Sequence, residues 1–209
     1  MIRESEVIRD LGVILSNDLS FERHILQTVE KMKSVSSWIL RTFQSRECTL
    51  LLTLWKTLVI PIHDYCSQLW SPNMIKFKNM FEQLQYQFLK KIKNMRDKSY
   101  KDISKELKLY SLERRRDRYR IIYAWKIVEK LVPTTGIKEN MSNRRGRLLL
   151  TQPFPAVQIS GKISSFNKCI IRLWNALPMH IRNMNSVSVN KFKGTLDTFL
   201  QTIEDSPHL

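Results

Sequence analysis

The spacing of apolar residues between Phe77 and Met95 constrains the fold more than any other feature of the sequence. They recur at steps of four, three, four, four and three, at Phe77, Phe81, Leu84, Phe88, Ile92 and Met95. This period is typical of an α-helix with one buried face. We therefore predict a helix from about Met74 to Met95, whose apolar side must be covered by other elements.

Similar patterns predict that most of the chain is helical. Apolar positions from Phe21 to Phe43 indicate a long helix that begins after an N-cap at Ser20. Further helices are predicted at about 47–60, 61–67, 99–107, 111–131, 165–176 and 189–203, with serine caps at Ser99 and Ser111. The predicted fold class is mainly α.

Two regions are predicted to be non-helical. Val7–Ile8 and Leu11–Leu15, followed by a turn cluster at residues 16–18, predict a short β hairpin. Residues 134–164 contain Gly136, Pro153 and Pro155 and are predicted to form a loop-rich insert with short strands at 148–150 and 157–159. We expect a helical bundle that is preceded by the hairpin and interrupted by this insert before its last two helices.

The charge of the chain points to a polyanionic partner. Lys and Arg total 35 against 19 Asp and Glu in 209 residues, a formal net charge of +16. Residues 76–147 hold 21 cations and 8 acids, so +13 of this charge lies in 72 residues. A small neutral ligand would not need such a field, and we expect nucleic acid rather than a small-molecule substrate.

Three clusters of cations are the candidate phosphate contacts. They are Lys90, Lys91, Lys93, Arg96 and Lys98; Arg114, Arg115, Arg116, Arg118 and Arg120; and Arg144, Arg145 and Arg147. Phosphate contacts of this kind are non-specific in sequence and sensitive to salt. A solvated face whose charges pair locally, for example with Glu113 and Asp117, is the alternative.

Aromatic residues between these clusters are candidates for stacking on bases. Most fit the apolar faces of the predicted helices and are expected in the core. Tyr100 and Tyr110 lie near loops beside the cations and are the preferred stacking residues.

Other chemistry is not indicated. The three cysteines, Cys48, Cys66 and Cys169, match neither a disulfide framework nor a zinc site, and no metal or cofactor is expected. The group His63, Asp64, Cys66 and Ser67 suggests a nucleophile with a base, but helix packing around Pro61 explains it better. No apolar run is long enough to span a membrane and no secretory signal is visible, so we expect a soluble nuclear or cytoplasmic protein without a membrane partner.

A series of separated segments resembles a known family. The segments are Asp10–Leu15, 19–21, His24–Ile25, Leu54–Pro72, Leu84–Gln85 with Phe88, Ser99–Tyr100, Leu107–Arg116, Arg145–Gly146, Ser165–Phe166, Trp174–Pro178 and Ser188–Lys193. Their order and spacing resemble the C-terminal region of the reverse transcriptases (RNA-directed DNA polymerases) of jockey-like non-LTR retrotransposons. The resemblance covers nearly the whole chain.

The resemblance implies a domain organisation. Residues 1–19 would be a remnant of the palm, with Leu11 and Gly12 in a hairpin like the family's primer grip. Residues 20–133 would be a basic helical thumb-like domain, followed by the insert at 134–164 and a C-terminal helical segment at 165–209. Asp10 stands where the family usually has an aromatic residue, which is a departure from a normal primer grip.

The resemblance also bears on activity. The family's polymerase chemistry uses metal ions held by palm aspartates, two of them in a Tyr-Ala-Asp-Asp-like turn, and this sequence contains no such turn. We therefore expect no polymerase activity from this chain alone and expect it to bind RNA or an RNA/DNA hybrid. Two alternatives stay open: a helical interaction domain or inert relic, and one part of a split polymerase that docks on a separate palm-containing polypeptide.

Overall fold

The computed structural model describes residues 6–18, 20–133, 138–142, 147–151 and 161–205. The prediction of a mainly helical fold preceded by a short hairpin is confirmed. In chain order the elements of the described residues are β1 (Val7–Asp10), β2 (Val13–Ser16), α1 (Glu22–Thr42), α2 (Cys48–Leu54), a π-helical turn (Trp55–Val59), α3 (Ile60–Asp64), α4 (Ser67–Trp70), α5 (Ile75–Leu89), α6 (Tyr100–Glu106), α7 (Leu112–Val128), β3 (Lys138–Ser142), β4 (Arg147–Thr151), α8 (Gly161–Ala176), α9 (Met179–Arg182) and α10 (Val189–Thr202).

The chain divides into two compact units. The first unit comprises Met1–Arg116 and Asp205–Leu209, and the second comprises Asp117–Glu204. The division falls inside α7, whereas the sequence placed a domain boundary after residue 133. Each unit has its own buried residues and is described separately.

The hairpin differs from the prediction in its turn. β1 pairs with β2 in antiparallel register, with Asp10 opposite Val13. Leu11 and Gly12, predicted to lie in a strand, instead form the two-residue turn with φ of 44° and 85°. Two consecutive positive φ angles are typical of the type I′ turn, whose twist matches that of the strands it connects.

The core of the first unit is built on α1, α5 and the π-helical turn. Met32 and Ile39 of α1 and Phe81 of α5 have no exposed surface. The indole of Trp55 stacks on Phe88 with ring centroids 4.6 Å apart. The six apolar positions that predicted α5 are all buried.

Helix α5 nevertheless ends at Leu89, six residues before the predicted end. The N–H of Lys91 donates to the Phe88 carbonyl at 2.9 Å, and the N–H of Ile92 donates to the Leu89 carbonyl at 3.0 Å. Asn94 then takes the left-handed conformation, with φ of 66°. Bonds between residues three apart satisfy the last carbonyls of the helix. This tightening keeps Ile92 buried after the α-helix has stopped.

Two of the three predicted serine N-caps are confirmed. Ser99 and Ser111 cap α6 and α7 as predicted, their hydroxyls accepting from the N–H groups of Asp102 at 3.2 Å and Arg114 at 3.0 Å. The predicted cap at Ser20 is wrong, because the residue that precedes α1 is Phe21, in the left-handed region with φ of 52°. The π-helical turn was not predicted. It precedes Pro61, which has no N–H to donate and whose ring crowds the preceding turn.

The second unit packs three aromatic rings together. Trp125 stacks on Phe192 with centroids 4.9 Å apart, and Trp174 lies 6.5 Å from the same ring. The amide of Asn175 donates to the Leu150 carbonyl and accepts from the Leu150 N–H, both at 3.1 Å. The side chain of Trp174 is fully buried, so this indole is part of the core of the second unit.

Of the two strands that the structure describes in the insert, one was predicted and one was not. The predicted strand at 148–150 lies in β4, which pairs antiparallel with β3, and β3 was not predicted. The predicted strand at 157–159 lies outside the described residues.

None of the described helices has the length and apolar character needed to cross a bilayer.

Candidate nucleic-acid interface

The first cation cluster lies in the segment between α5 and α6, residues 90–98, which we call the basic loop. Two apolar side chains of this loop, Ile92 and Met95, are 2% and 5% exposed. The N–H of Met95 donates to the Ile92 carbonyl at 3.1 Å, which closes a tight turn between them. The basic loop is therefore anchored in the core of the first unit.

Tyr86 of α5 holds both ends of the basic loop. Its hydroxyl donates to the carbonyl of Lys98 at 3.2 Å. The ammonium group of Lys90 lies 5.0 Å from the centre of the same ring, in a cation–π contact. Lys90 is thereby held against the protein at the start of the loop.

A third anchor joins the basic loop to the end of α1. The N–H of Lys93 donates to the carbonyl of Arg46 at 2.9 Å. The guanidinium of Arg46 donates to the carbonyls of Phe43 and Leu40, the latter at 3.0 Å, and so satisfies carbonyls at the end of α1. The loop and the last turn of α1 thus form one continuous surface.

The side chains of Lys91, Lys93 and Arg96 are exposed. Lys93 pairs with Glu47 at 3.4 Å, but both side chains are about two-thirds exposed, and such pairs contribute little. Within the part of the chain that the structure describes, Lys91 and Arg96 have no carboxylate within ion-pair distance. Lys98 differs from these three, since it pairs with Glu106.

The second cluster, on α7, is arranged differently. We call Arg114, Arg115, Arg116, Arg118 and Arg120 the arginine row. In the first unit the Nε of Arg114 lies 3.4 Å from Asp205. In the second unit Arg118 makes a two-pronged contact with Asp197, at 2.5 and 2.7 Å. Both arginines point at carboxylates of their own unit rather than at solvent.

The centre of the arginine row is buried. Arg116 is 1% exposed, and its Nη1 lies 2.8 Å from Nε2 of His63. Arg115 pairs with Asp64, which in turn accepts a hydrogen bond from Nδ1 of His63 at 2.9 Å. Since arginine only donates, His63 must carry its single proton on Nδ1 and accept at Nε2. The four side chains form one network.

The electrostatics of this network follow from its burial. Burial lowers the pKa of His63 to about 4, and the repulsion from Arg116 acts in the same direction. Burial alone would raise the pKa of Asp64, but the hydrogen bonds from His63 and Arg115 outweigh it and lower that pKa to about 2. At neutral pH the network therefore holds a neutral imidazole and a charged carboxylate.

The position of Tyr100 contradicts its prediction as a stacking residue. Its side chain is 7% exposed, and its hydroxyl donates to Glu82 at 2.6 Å. Glu82 has no exposed surface and also accepts from the N–H groups of Leu112 and Glu113, at 3.1 and 2.7 Å. Burial raises the pKa of Glu82, while these bonds oppose that rise. Tyr100 belongs to the support of the α7 N-terminus.

Three candidate binding residues remain: Tyr110, Arg144 and Arg145. Tyr110 is partly buried, and its carbonyl accepts from the Gln85 amide at 3.1 Å. Arg144 and Arg145 lie outside the described residues. The structure therefore brings together the cations of the basic loop, while Tyr100 is buried beneath the start of α7.

The other motif residues are placed as follows. Leu11 lies at the hairpin tip, 83% exposed, and its carbonyl accepts from the Tyr65 hydroxyl at 2.6 Å. His63 and Trp70 are buried, in accordance with the packing interpretation of that segment. Tyr65 and Leu69 of the same segment are about half exposed.

Four acidic partners of α7 and its N-cap were not predicted: Glu82, Asp64, Asp197 and Asp205. They lie 30 to 94 residues along the chain from the groups they contact, beyond the reach of any local pattern. No group of three or more His, Cys, Asp or Glu side chains that could hold a metal ion occurs in the described residues.

Comparison of the chain with protein families, curated proteins and solved structures finds no match.

Proposed function

We propose that this protein binds RNA or an RNA/DNA hybrid through the phosphate contacts of the basic loop. The observation that carries the proposal is the exposure of Lys91, Lys93 and Arg96 on a loop fixed at three points to the core of its unit. A fixed loop loses little conformational freedom when it binds. The net charge of +16 adds long-range attraction to any polyanion.

The proposal predicts a specific salt dependence. Three neutralised phosphates reduce log affinity by about 2 to 3 per decade of salt, so affinity falls roughly 20- to 40-fold between 50 and 200 mM salt. Phosphate contacts carry no sequence information, so discrimination between RNA sequences of equal length should be weak.

Fluorescence anisotropy with a labelled 20-nucleotide RNA and the matching RNA/DNA hybrid tests the proposal. The variant Lys91→Gln/Lys93→Gln/Arg96→Gln should lose most of the affinity at 50 mM salt. A matched control, Arg9→Gln/Arg23→Gln/Lys56→Gln, removes the same charge from exposed positions of the first unit outside the loop. Equal losses in the two variants, or an affinity that does not change with salt, would contradict the proposal.

We also propose that the chain derives from the C-terminal, thumb-containing region of a non-LTR retrotransposon reverse transcriptase. The support is the order of the motif segments over nearly the whole chain, together with a mainly helical fold that follows a hairpin. The proposal implies that catalytic carboxylates would be supplied by another segment or polypeptide. A reading frame upstream of Met1 that encoded a Tyr-Ala-Asp-Asp-like turn would support this origin, and a frame encoding an unrelated domain would count against it.

The hairpin favours a second candidate function, docking on a separate palm-containing polypeptide. Ile8 and Leu11 are 57% and 83% exposed, and the Tyr65 hydroxyl fixes the turn. Exposed apolar side chains on a fixed turn are suited to an apolar partner surface. Mixing the chain with such a polypeptide should raise primer extension, and Leu11→Asp should abolish the gain. Primer extension that is the same with and without the chain would reject this candidate.

A further inference from the structure

We propose that Trp38, on α1, is a stacking platform for an unpaired base of the strand that the basic loop holds. This inference rests on the proposed function and names its preferred substrate, a single strand with accessible bases. The chain has five tryptophans. Trp55, Trp70, Trp125 and Trp174 are at most 1% exposed, whereas Trp38 is 49% exposed.

An exposed tryptophan alone would carry no inference, but the segment around Trp38 carries a net positive charge. Residues 31–46 hold four cations, Lys31, Lys33, Arg41 and Arg46, and the nearest acids, Glu30 and Glu47, lie just outside this segment. Lys31 and Arg41 are exposed. At seven residues before and three residues after Trp38 they share its face of the helix. The positive charge of these cations would not attract an apolar protein partner. It would attract the phosphates of a nucleic acid, and these lie beside the bases that could stack on Trp38.

The surroundings of Trp38 leave its ring accessible. About half of the residue is exposed, and Ser34, one turn earlier on the same side of the helix, is exposed and short. Phe43 contacts Trp38 edge to face, with centroids 6.3 Å apart and an interplanar angle of 87°.

The platform is continuous with the basic loop. Phe43, which contacts Trp38, accepts a hydrogen bond at its carbonyl from Arg46, and the Arg46 carbonyl accepts from the N–H of Lys93 at 2.9 Å. A strand whose phosphates contact Lys93 and Lys91 therefore passes next to the last turns of α1. Stacking platforms beside a basic track are how proteins bind single strands without reading sequence.

The distribution of tryptophans makes a direct test possible. Stacking on a base quenches indole fluorescence, and a change on binding would report mainly on Trp38 because the other four are buried. The full chain is titrated with a 12-nucleotide uridine-rich RNA and, separately, with a blunt RNA duplex of equal phosphate count. Anisotropy of labelled RNA gives the affinity in the same samples.

The expected results separate stacking from charge. The single strand should quench the emission more than the duplex does. Trp38→Ala should weaken single-strand binding roughly 5- to 150-fold and duplex binding less than about twofold. The salt slope should stay unchanged, because no cation is removed. Leu26→Ala, which also removes an exposed apolar side chain from α1 about 18 Å away along the helix, should have no effect on binding.

The outcomes also distinguish this inference from the proposed function. If no nucleic acid binds at any salt, both fail. If binding is salt-dependent but Trp38→Ala neither weakens it nor alters the quenching, the proposed function stands and the stacking platform is wrong. If Trp38→Ala leaves nucleic-acid binding intact and instead abolishes self-association in sedimentation, Trp38 belongs to a protein interface and the inference is likewise overturned.

Discussion

The basic loop and the arginine row look alike in the sequence and differ in the structure. Each contains five cations within nine residues. In the basic loop Lys91, Lys93 and Arg96 are exposed. In the arginine row Arg116 and Arg120 are 1% and 8% exposed, and the other three arginines lie against aspartates of their own unit. Equal charge density is therefore left exposed in one region and used for internal packing in the other.

The difference follows from side-chain chemistry as well as from position. Guanidinium groups form planar, two-pronged pairs with carboxylates and are more weakly hydrated than ammonium groups, so they suit partly buried ion pairs. Lysine is strongly hydrated and stays at the surface unless it is paired. The comparison predicts that substitutions in the arginine row change stability, while substitutions in the basic loop change binding.

The largest expected effect on stability comes from Arg116. Arg116→Met removes the positive charge that contacts His63 and lies over Phe81 at 5.5 Å, and it leaves the His63 Nε2 without this donor. Loss of one partner of a buried charged network costs about 3–5 kcal/mol. Urea denaturation followed by circular dichroism measures the change. Lys91→Met, at an exposed position of the basic loop, is the control, and equal losses in the two variants would contradict the comparison.

The stability of the folded protein should also depend on pH through the buried His63. The pKa of His63 in the folded protein is about 4, below its ordinary value of 6.5. Between these values the unfolded chain binds a proton that the folded chain does not, so stability falls as pH decreases from about 6.5 to about 4. The His63 contribution is on the order of 3 kcal/mol. Glu82, whose pKa is raised, acts in the opposite direction, so the contribution must be isolated with a variant.

The variant His63→Gln isolates the contribution of His63 to the pH dependence of stability. The difference in unfolding free energy between the native protein and His63→Gln should shrink by about 2 kcal/mol between pH 7 and pH 4.5. Urea denaturation at a series of pH values measures this difference. A difference that does not change with pH would show that His63 is not held neutral by burial.

A smaller effect is expected from the Arg118–Asp197 pair of the second unit. Its two contacts are short and its side chains are 17% and 33% exposed, so the pair is only partly screened. A double-mutant cycle with Arg118→Ala and Asp197→Ala should give a coupling of about 1–2 kcal/mol. The same cycle on Lys93 and Glu47, an exposed pair, should give less than about 0.5 kcal/mol. Equal couplings would remove the distinction between the two regions.

The smallest effect on stability is expected in the basic loop itself. Lys91→Gln/Lys93→Gln/Arg96→Gln leaves the buried Ile92 and Met95 in place. The free energy of unfolding should change by less than about 0.5 kcal/mol per site, as is usual for surface positions. Denaturant titration checks this. A loss of several kcal/mol would mean that the loop cations hold the fold.

The helices were predictable from the sequence because their signals are local. The apolar period from Phe77 to Met95 and the caps at Ser99 and Ser111 each depend on neighbours within a few residues. The hairpin was also predicted, although its turn at Leu11–Gly12 was misplaced, since leucine rarely adopts a positive φ.

The site was less predictable because its partners are distant. Asp197 lies 79 residues from Arg118, and Glu82 lies 18 residues from Tyr100. No local rule connects these residues. Burial of the arginine row and of Tyr100 could therefore not be foreseen, and both were counted among the binding residues. Trp38 was overlooked for the converse reason, because a tryptophan on an amphipathic helix is expected in the core.

The salt dependence of RNA binding shows whether the cations of the basic loop, rather than those of the arginine row, contact phosphates. Log affinity is measured against log salt concentration for the native protein, for Lys91→Gln/Lys93→Gln/Arg96→Gln and for Arg118→Gln/Asp197→Asn. We expect the slope of the first variant to fall in magnitude by about 2 to 3 and that of the second, which keeps the net charge, to stay within about 0.5 of the native value. An unchanged slope in the loop variant, or a loss of about one unit in the Arg118 variant, would show that the loop cations are not the phosphate contacts.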